Sequence, residues 1–205
     1  KAAAIIARMQ TQDLQVALVS DAGTPAISDP GARLVAAAHE AGIPVVAVPG
    51  PSAMAAALSS SGFEEAAFAF YGFLPRKPTE LKASLKALQE GPPLAVVYES
   101  PHRVKALLTA LAEVFPGIRM SLSRELTKVH EQTLRGSVET VLDAFRQDEG
   151  LLRGEFVLVL SLPRAQKAQE AEPLSLEARL MDQVVKGCSL REAQEALVAA
   201  GHRKN

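Results

Sequence analysis

Apolar positions in this chain fall in short runs bounded by turn residues, and these runs alternate with stretches at helical spacing. Gln15 to Ser20 (QVALVS) and Pro44 to Val48 (PVVAV) have the length and boundaries of buried strands. Between them, Ala32 to Ala41 predicts a helix that Gly42 is placed to stop. After the second run, Pro49-Gly50-Pro51-Ser52-Ala53 forms a stiff corner and leads into a helix of small residues, Met54 to Ser60. Strand, loop, helix, repeated, is the pattern of parallel α/β layering. The opening KAAAIIARM reads as the body of a helix already under way, so we expect the domain to begin upstream of Lys1.

A second cycle starts at Phe68. Phe68 to Phe73, Leu94 to Tyr98, Arg119 to Ser123 and Phe156 to Leu162 predict strands, and Val129 to Leu134 an extended segment followed by a turn at Gly136. Thr79 to Gln89 carries Leu81, Leu85 and Leu88 on one helical face, Val104 to Phe115 continues a helix that Pro101 opens, and Ser137 is set to cap a helix through Phe145. Arg164 to Glu172 lacks an apolar stripe and reads as a linker before two short helices, near 176–186 and 190–200.

Composition narrows the chemistry. Lys plus Arg number 22 against 23 Asp plus Glu, a net charge of -1, so nucleic acid would have to be gripped by a local patch. With 48% hydrophobic residues there is material for a real core, and no run approaches the length of a membrane span. The single cysteine, Cys188, excludes an intrachain disulfide, and the pattern points to the cytoplasm.

Four polar loops follow apolar strands, where open parallel sheets bind ligands: Ser20–Gly31, Pro49–Ala53, Glu99–Arg103 and Arg124–Lys128. The first is neither GxGxxG nor a phosphate-binding P-loop. Gly23 permits close backbone approach and Thr24 offers a hydroxyl; the plainer reading is a connection in which Asp29 caps the next helix. Pro49–Ala53 presents free amides at a helix start, or else merely packs that helix tightly. Glu99, His102 and Arg103, and Arg124, Glu125, Lys128, His130 and Glu131, are either ligand groups or a solvated ion-pair surface. Their spacing fits no compact metal motif, so no metal is expected. With no G-x-S-x-G elbow, a serine hydrolase is disfavoured.

Seven blocks in order carry a resemblance: VALVSDAGTPAISDPG (16–31), VPGPSA (48–53), FYGFLPRK (70–77), YESPHRV (98–104), SLSRELTKVHE (121–131), LRGSVE (134–139) and GEFVLV (154–159). Together they resemble the bacterial small-subunit ribosomal RNA 2'-O-ribose methyltransferases of the tetrapyrrole methylase superfamily, over nearly the whole chain to Leu162. The resemblance implies an α/β, two-domain tetrapyrrole-methylase-like fold with a cofactor cleft between the domains. The domains would be 1–66 and 67–163, followed by the linker at 164–172 and a small helical accessory segment at 173–205. It also implies S-adenosylmethionine as cofactor and a cytidine ribose in small-subunit ribosomal RNA as target, within an assembled 30S subunit, by a homodimer. The family's usual opening strand, its ATPIGN-like loop and its EDTR-like acidic segment have no counterpart among these residues.

Carried over residue by residue, the resemblance places Ser20, Asp21, Ala22, Gly23, Thr24 and Ile27 on a first cofactor loop and Pro51, Ser52 and Ala53 on a second. Tyr98 and Phe156 would border the adenine or ribose. A base near the 2'-hydroxyl is expected among Glu99, Glu125 and Lys128. Arg76, Lys77, Arg103 and Arg124 suit RNA phosphates, and Lys82 would extend that track. Two other readings are a methylase acting on a small tetrapyrrole, which the SPHR and SRELTK blocks argue against, and a ligand-binding module without catalysis.

Overall fold

The computed structural model describes residues 1–163 together with positions 185, 189–191 and 194. The expected linker and the two C-terminal helices lie almost wholly outside the described residues. Residues 1–163 form one compact unit and 164–205 a second.

The order of elements is α1 (Ala2–Gln12), α2 (Ala32–Glu40), α3 (Ala53–Ser60), β1 (Phe68–Phe73), α4 (Pro78–Ala87), β2 (Leu94–Glu99), α5 (Val104–Val114), β3 (Arg119–Arg124), β4 (Gln132–Ser137), α6 (Val138–Gln147) and β5 (Phe156–Ser161). The strands make one mixed sheet in the order β1-β2-β5-β3-β4. Only β1 and β2 run parallel; the pairs β2/β5, β5/β3 and β3/β4 are antiparallel. The parallel layering expected from the sequence thus holds in this sheet for β1 and β2, because β5 returns between β2 and β3 and β4 folds back directly on β3.

The helices of this half form where the sequence places them. Pro78 opens α4, with Glu80 in the first turn and Lys86 in the last, each complementing the helix dipole. The Ser137 hydroxyl accepts from the Thr140 amide and caps α6. Leu81 and Leu85 of α4, Leu107, Leu108 and Leu111 of α5, and Val141 and Phe145 of α6 cover one sheet face over Met120, Leu122, Leu158 and Leu160. The opposite face is thinner. There Ala57 of α3 lies on Val96, Val157 and Val159, joined by Met54, Phe70, Tyr98 and Leu126. The run of alanines in α3 is what lets a helix backbone come this close to the sheet.

Two expectations fail in the first 66 residues. Gln15–Ser20 and Pro44–Val48 enter no ladder among the described residues, and Val19, Val46 and Val48 are each about four-fifths exposed, at 79%, 82% and 84%. A strand is stabilised by its hydrogen-bonded neighbour, and an apolar run without one stays an extended connection. The segment expected to be extended at Val129–Leu134 begins three residues later, since Val129 sits exposed in a turn and Gly136 falls inside β4.

Candidate functional site

Although their flanking runs do not pair, the first two polar loops meet. The Thr24 hydroxyl donates to the Pro51 carbonyl at 3.1 Å. Gly23 has φ +74°, and a Cβ there would lie 3.7 Å from the same carbonyl. The Ser20 hydroxyl donates within its own loop, to the carbonyls of Ala22 and Gly23. Ala26 and Ser28 also take left-handed backbone, at φ 66° and 59°. Such conformations are costly outside glycine and tend to occur where a loop is shaped for a ligand. Ser28 reaches the sheet: its hydroxyl lies 3.1 Å from where a Cβ on Gly72 would sit. Gly72 itself has φ +60° and follows a bulge at Tyr71 in β1. Asp29 does not cap α2; Gly31 does, by its backbone alone.

The corner continues onto the sheet through α3. Ser52 caps this helix, accepting from the Ala55 amide. The preceding amide, of Met54, donates to the Tyr98 hydroxyl at 3.1 Å. Tyr98 stands at the carboxyl end of β2 with Phe70 and Phe73 edge-on to its ring, at 4.8 and 5.9 Å. Burial chiefly raises the Tyr98 pKa, with Asp29 adding to it and the Met54 amide opposing. The phenol is therefore held neutral and keeps a proton to donate. Loop 20–31, the start of α3 and the Tyr98 ring thus surround one corner.

Phe156 is not in this group. It pairs with Glu99 across β2 and β5, and its ring packs against Phe145 on the opposite sheet face, 1% exposed. The strand alternation that aims Tyr98 at α3 aims Phe156 into the core.

The acidic candidates separate in the same way. Glu99 is 2% exposed; its Oε1 accepts from the Ser100 amide at 2.7 Å, and its Oε2 lies 3.1 Å from Arg103 Nη2 without accepting a hydrogen bond. Glu125 sits beyond β3 in a left-handed turn, φ 49°, and Leu126 beside it packs against the same apolar cluster as Tyr98. Its Oε1 accepts from Lys128 Nζ at 2.9 Å and from the Glu155 amide at 3.0 Å. Lys128 Nζ also reaches Glu155 Oε2 at 3.2 Å. The Lys128 contact and the Glu155 amide hold the Glu125 carboxyl below its usual range, and the two carboxylates raise the lysine. The Glu131 carboxylate accepts from the Thr127 amide and fixes the rest of the turn. Glu155 was not among the expected site residues, although it lies in the GEFVLV block; the available signal is Gly154, at φ +99°, where a Cβ would collide with the Glu125 side chain.

The four expected phosphate ligands do not form one track. Arg103 Nη2 donates to the carbonyls of Leu74 and Pro75 at 2.8 and 3.2 Å and pairs with Glu99, so its fork is already engaged. Arg124 is buried and reaches the Gly150 carbonyl at 3.4 Å. Both guanidinium groups brace loops instead of facing solvent. Lys77 pairs with Glu80 and Lys82 with Glu113, both in exposed pairs. Arg76 makes no ion pair or hydrogen bond among the described residues and remains open to solvent. A basic feature that the sequence did not single out is Phe63, with the guanidinium groups of Arg119 and Arg135 at 5.6 and 5.2 Å from its ring.

Residues 1–142 match the family of tetrapyrrole (corrin/porphyrin) methylases. This chain belongs to that family. Among tetrapyrrole methylase relatives, it is 38% identical over 182 residues to the ribosomal RNA small subunit methyltransferase I of Bacillus subtilis, covering 87% of this chain and 62% of that protein. It is 40% identical over 204 residues to the protein of the same name from Pseudomonas aeruginosa, covering 98% of this chain and 71% of that one. The chain therefore spans about three fifths of the Bacillus subtilis relative and somewhat more of the Pseudomonas aeruginosa one. Its fold is like that of the methyltransferase CobJ, with a TM-score of 0.55 at 20% identity over 78% of this chain and 69% of that one. No described helix is long and apolar enough to cross a membrane.

Proposed function

We propose that this chain is the catalytic part of an S-adenosylmethionine-dependent methyltransferase that modifies the ribose 2'-hydroxyl of a cytidine in small-subunit ribosomal RNA. The relatives named above support the reading at family level. The observation that carries it at the level of residues is the convergence of loop 20–31 and the Pro51–Ala53 corner, through the Thr24–Pro51 and Met54–Tyr98 hydrogen bonds, beside the Tyr98 and Phe70 rings, which would wall a cofactor recess. The reading takes 1–66 and 67–163 as the two lobes that face each other there.

The residues present suit the cofactor. Gly23 leaves the space beside the Pro51 carbonyl that a side chain would fill, and the neutral Tyr98 phenol can donate a hydrogen bond. Ser20, Asp21, Ala22, Gly23, Thr24, Ile27, Ser52 and Ala53 would line the recess, with Phe70 beside Tyr98 as its apolar wall. Phe156 would support that wall from behind. When bound, S-adenosylmethionine supplies an electrophilic methyl group on a positively charged sulfur.

The protein's part is to hold the sugar oxygen in line and receive its proton. Much of the rate then comes from orientation. Of the three candidate bases, Lys128 is held as an ammonium and cannot accept a proton. Glu99 lies on the far side of β2 from Tyr98, tied to Ser100 and Arg103. Glu125 is ionised, adjoins the Tyr98 side through Leu126, and is the group we assign as base, with Lys128 and Glu155 fixing its orientation. Its depressed basicity puts this contribution at the low end for a general base, about a hundredfold, in keeping with a reaction governed by geometry. Arg76 and Lys77 would meet RNA phosphates, and Arg103 and Arg124 would hold the loops that present them.

The substrate would be an assembled 30S subunit, the working form a homodimer and the location cytoplasmic. A tetrapyrrole substrate is supported by the family's description and by likeness of fold to CobJ, whereas the two relatives named above are ribosomal RNA methyltransferases. Calorimetry with S-adenosylmethionine tests the proposal: one site per chain is expected, weakened at least about tenfold by Tyr98→Ala. Absence of binding to the full-length protein would contradict it.

A further inference from the structure

Behind Tyr98, on the α4/α5 side of β2, lies a cavity of about 440 Å³ lined in part by Arg76, Leu81, Glu99, His102, Ala106 and Leu107. Its construction is mixed. Leu81 and Leu107 are buried core residues and form an apolar floor. Arg76, His102 and Ala106 are exposed and form the rim. The wall between them is braced by Arg103, which ties the Glu99 carboxylate to the Leu74 and Pro75 carbonyls and so fixes the loop carrying Arg76 against the start of α5.

Charge at the rim is uneven. Glu99 and Arg103 offset each other, leaving Arg76 and the first turn of α5, with the His102 ring beside them as a polar group. That helix runs for eleven residues with no side-chain cap, and the amides of Lys105 and Ala106 have no backbone acceptor among the described residues. Such a start favours an anion. Glu99 Oε2, almost fully buried in the wall, accepts no hydrogen bond. A lone phosphate would use the rim and leave the apolar floor empty. A nucleotide uses both, with a flat base on the leucines and its phosphate on Arg76 and the α5 amides, and a guanidinium such as Arg76 can stack on a base.

We propose that this cavity is a nucleotide subsite, in which an unpaired nucleotide flanking the methylated one lays its base on Leu81 and Leu107 and its phosphate between Arg76, His102 and the start of α5. The assignment rests on the reading of the chain as an RNA methyltransferase and adds a second point of RNA contact. It lies across β2 from the Tyr98 recess, since successive residues of a strand face opposite sides.

The test is a methyl-resolved NMR titration of the full-length protein with cytidine 5'-monophosphate and, separately, with inorganic phosphate. The nucleotide is expected to shift the Leu81, Ala106 and Leu107 methyl signals and to bind at least about tenfold more tightly than phosphate, the margin that about 55 Å² of buried apolar surface supplies. Arg76→Ala should weaken the nucleotide about threefold or more by removing a charged contact. Ala106→Phe, at an exposed helix position, should fill the mouth and abolish the shifts without unfolding the chain. Equal affinity for the two probes, shifts confined to the Tyr98 side, or undiminished binding by Ala106→Phe would overturn the proposal. S-adenosylmethionine is titrated into the same samples: nucleotide binding without cofactor binding would contradict the methyltransferase reading, and cofactor binding without nucleotide binding would overturn the subsite alone.

Discussion

The Met54 amide donates to the Tyr98 hydroxyl across 3.1 Å, joining the first turn of α3 to the end of β2. These residues are 44 positions apart in the chain, and this bond fixes where the Pro51–Ala53 corner stands relative to the sheet. Replacing Tyr98 by Phe keeps the ring packing with Phe70 and removes only the hydroxyl. The expected loss is about 1 kcal/mol of stability, a drop in Tm of about 2–4 °C, because the Met54 amide is left without a partner. Cofactor affinity should fall with it. Thermal unfolding and calorimetry on the same variant check both parts.

Loop 20–31 is held in a shape that only a few residues tolerate. Gly23→Ala forces a side chain onto backbone at φ +74° and should cost about 1 kcal/mol. Thr24→Val removes the bond to the Pro51 carbonyl and should weaken S-adenosylmethionine about three- to tenfold while leaving the sheet intact. Unchanged affinity in Thr24→Val would show that the two loops need not meet for the cofactor to bind.

The ionic cluster beyond β3 carries its own pH signature. Glu125 titrates lower when folded, so its contribution is in full effect above the ordinary glutamate range of about 4.3 and is lost as pH falls through the lowered folded value. Lys128 titrates higher when folded, so its contribution holds below the ordinary lysine range of about 10.4 and is lost as pH rises through the raised value. Glu125→Gln should therefore flatten the acid limb of the stability profile, and Lys128→Met should flatten the alkaline limb. Urea unfolding across pH measures both. On activity, Glu125→Gln should lower kcat by about a hundredfold with little change in KM if Glu125 takes the proton. A change under about threefold would remove it from that role.

Phe156 separates core from cleft. On the core face, Phe156→Leu should cost about 1 kcal/mol and leave S-adenosylmethionine affinity nearly unchanged. The reverse pattern, a stable variant that binds poorly, would place the ring at the cofactor instead.

Much of the second half was legible in the sequence because local signals and burial agree there. Leu81, Leu85 and Leu88 mark the covered face of α4 and its continuation, Ser137 caps α6, and the run from Phe156 becomes a central strand. The first 66 residues were harder. Gln15–Ser20 and Pro44–Val48 have strand composition, but a strand also needs a neighbour, and composition does not report one. The resemblance puts Gly23 and Pro51 on two cofactor loops, and those loops meet through the Thr24–Pro51 bond although the runs before them do not pair. Interactions that depend on tertiary approach left no local trace. Arg103 braces two carbonyls and Arg124 turns inward, whereas by composition each reads as a surface cation. Glu155 entered the cluster only through the fold.

The most direct test of the account is the 2'-O-methylcytidine content of small-subunit ribosomal RNA, read by nucleoside mass spectrometry, in cells lacking this gene. The account predicts that the modified nucleoside is lost, returns with the natural full-length gene, and fails to return with its Gly23→Val, Tyr98→Ala double variant. Full modification in the deleted cells, or full restoration by that variant, would contradict it.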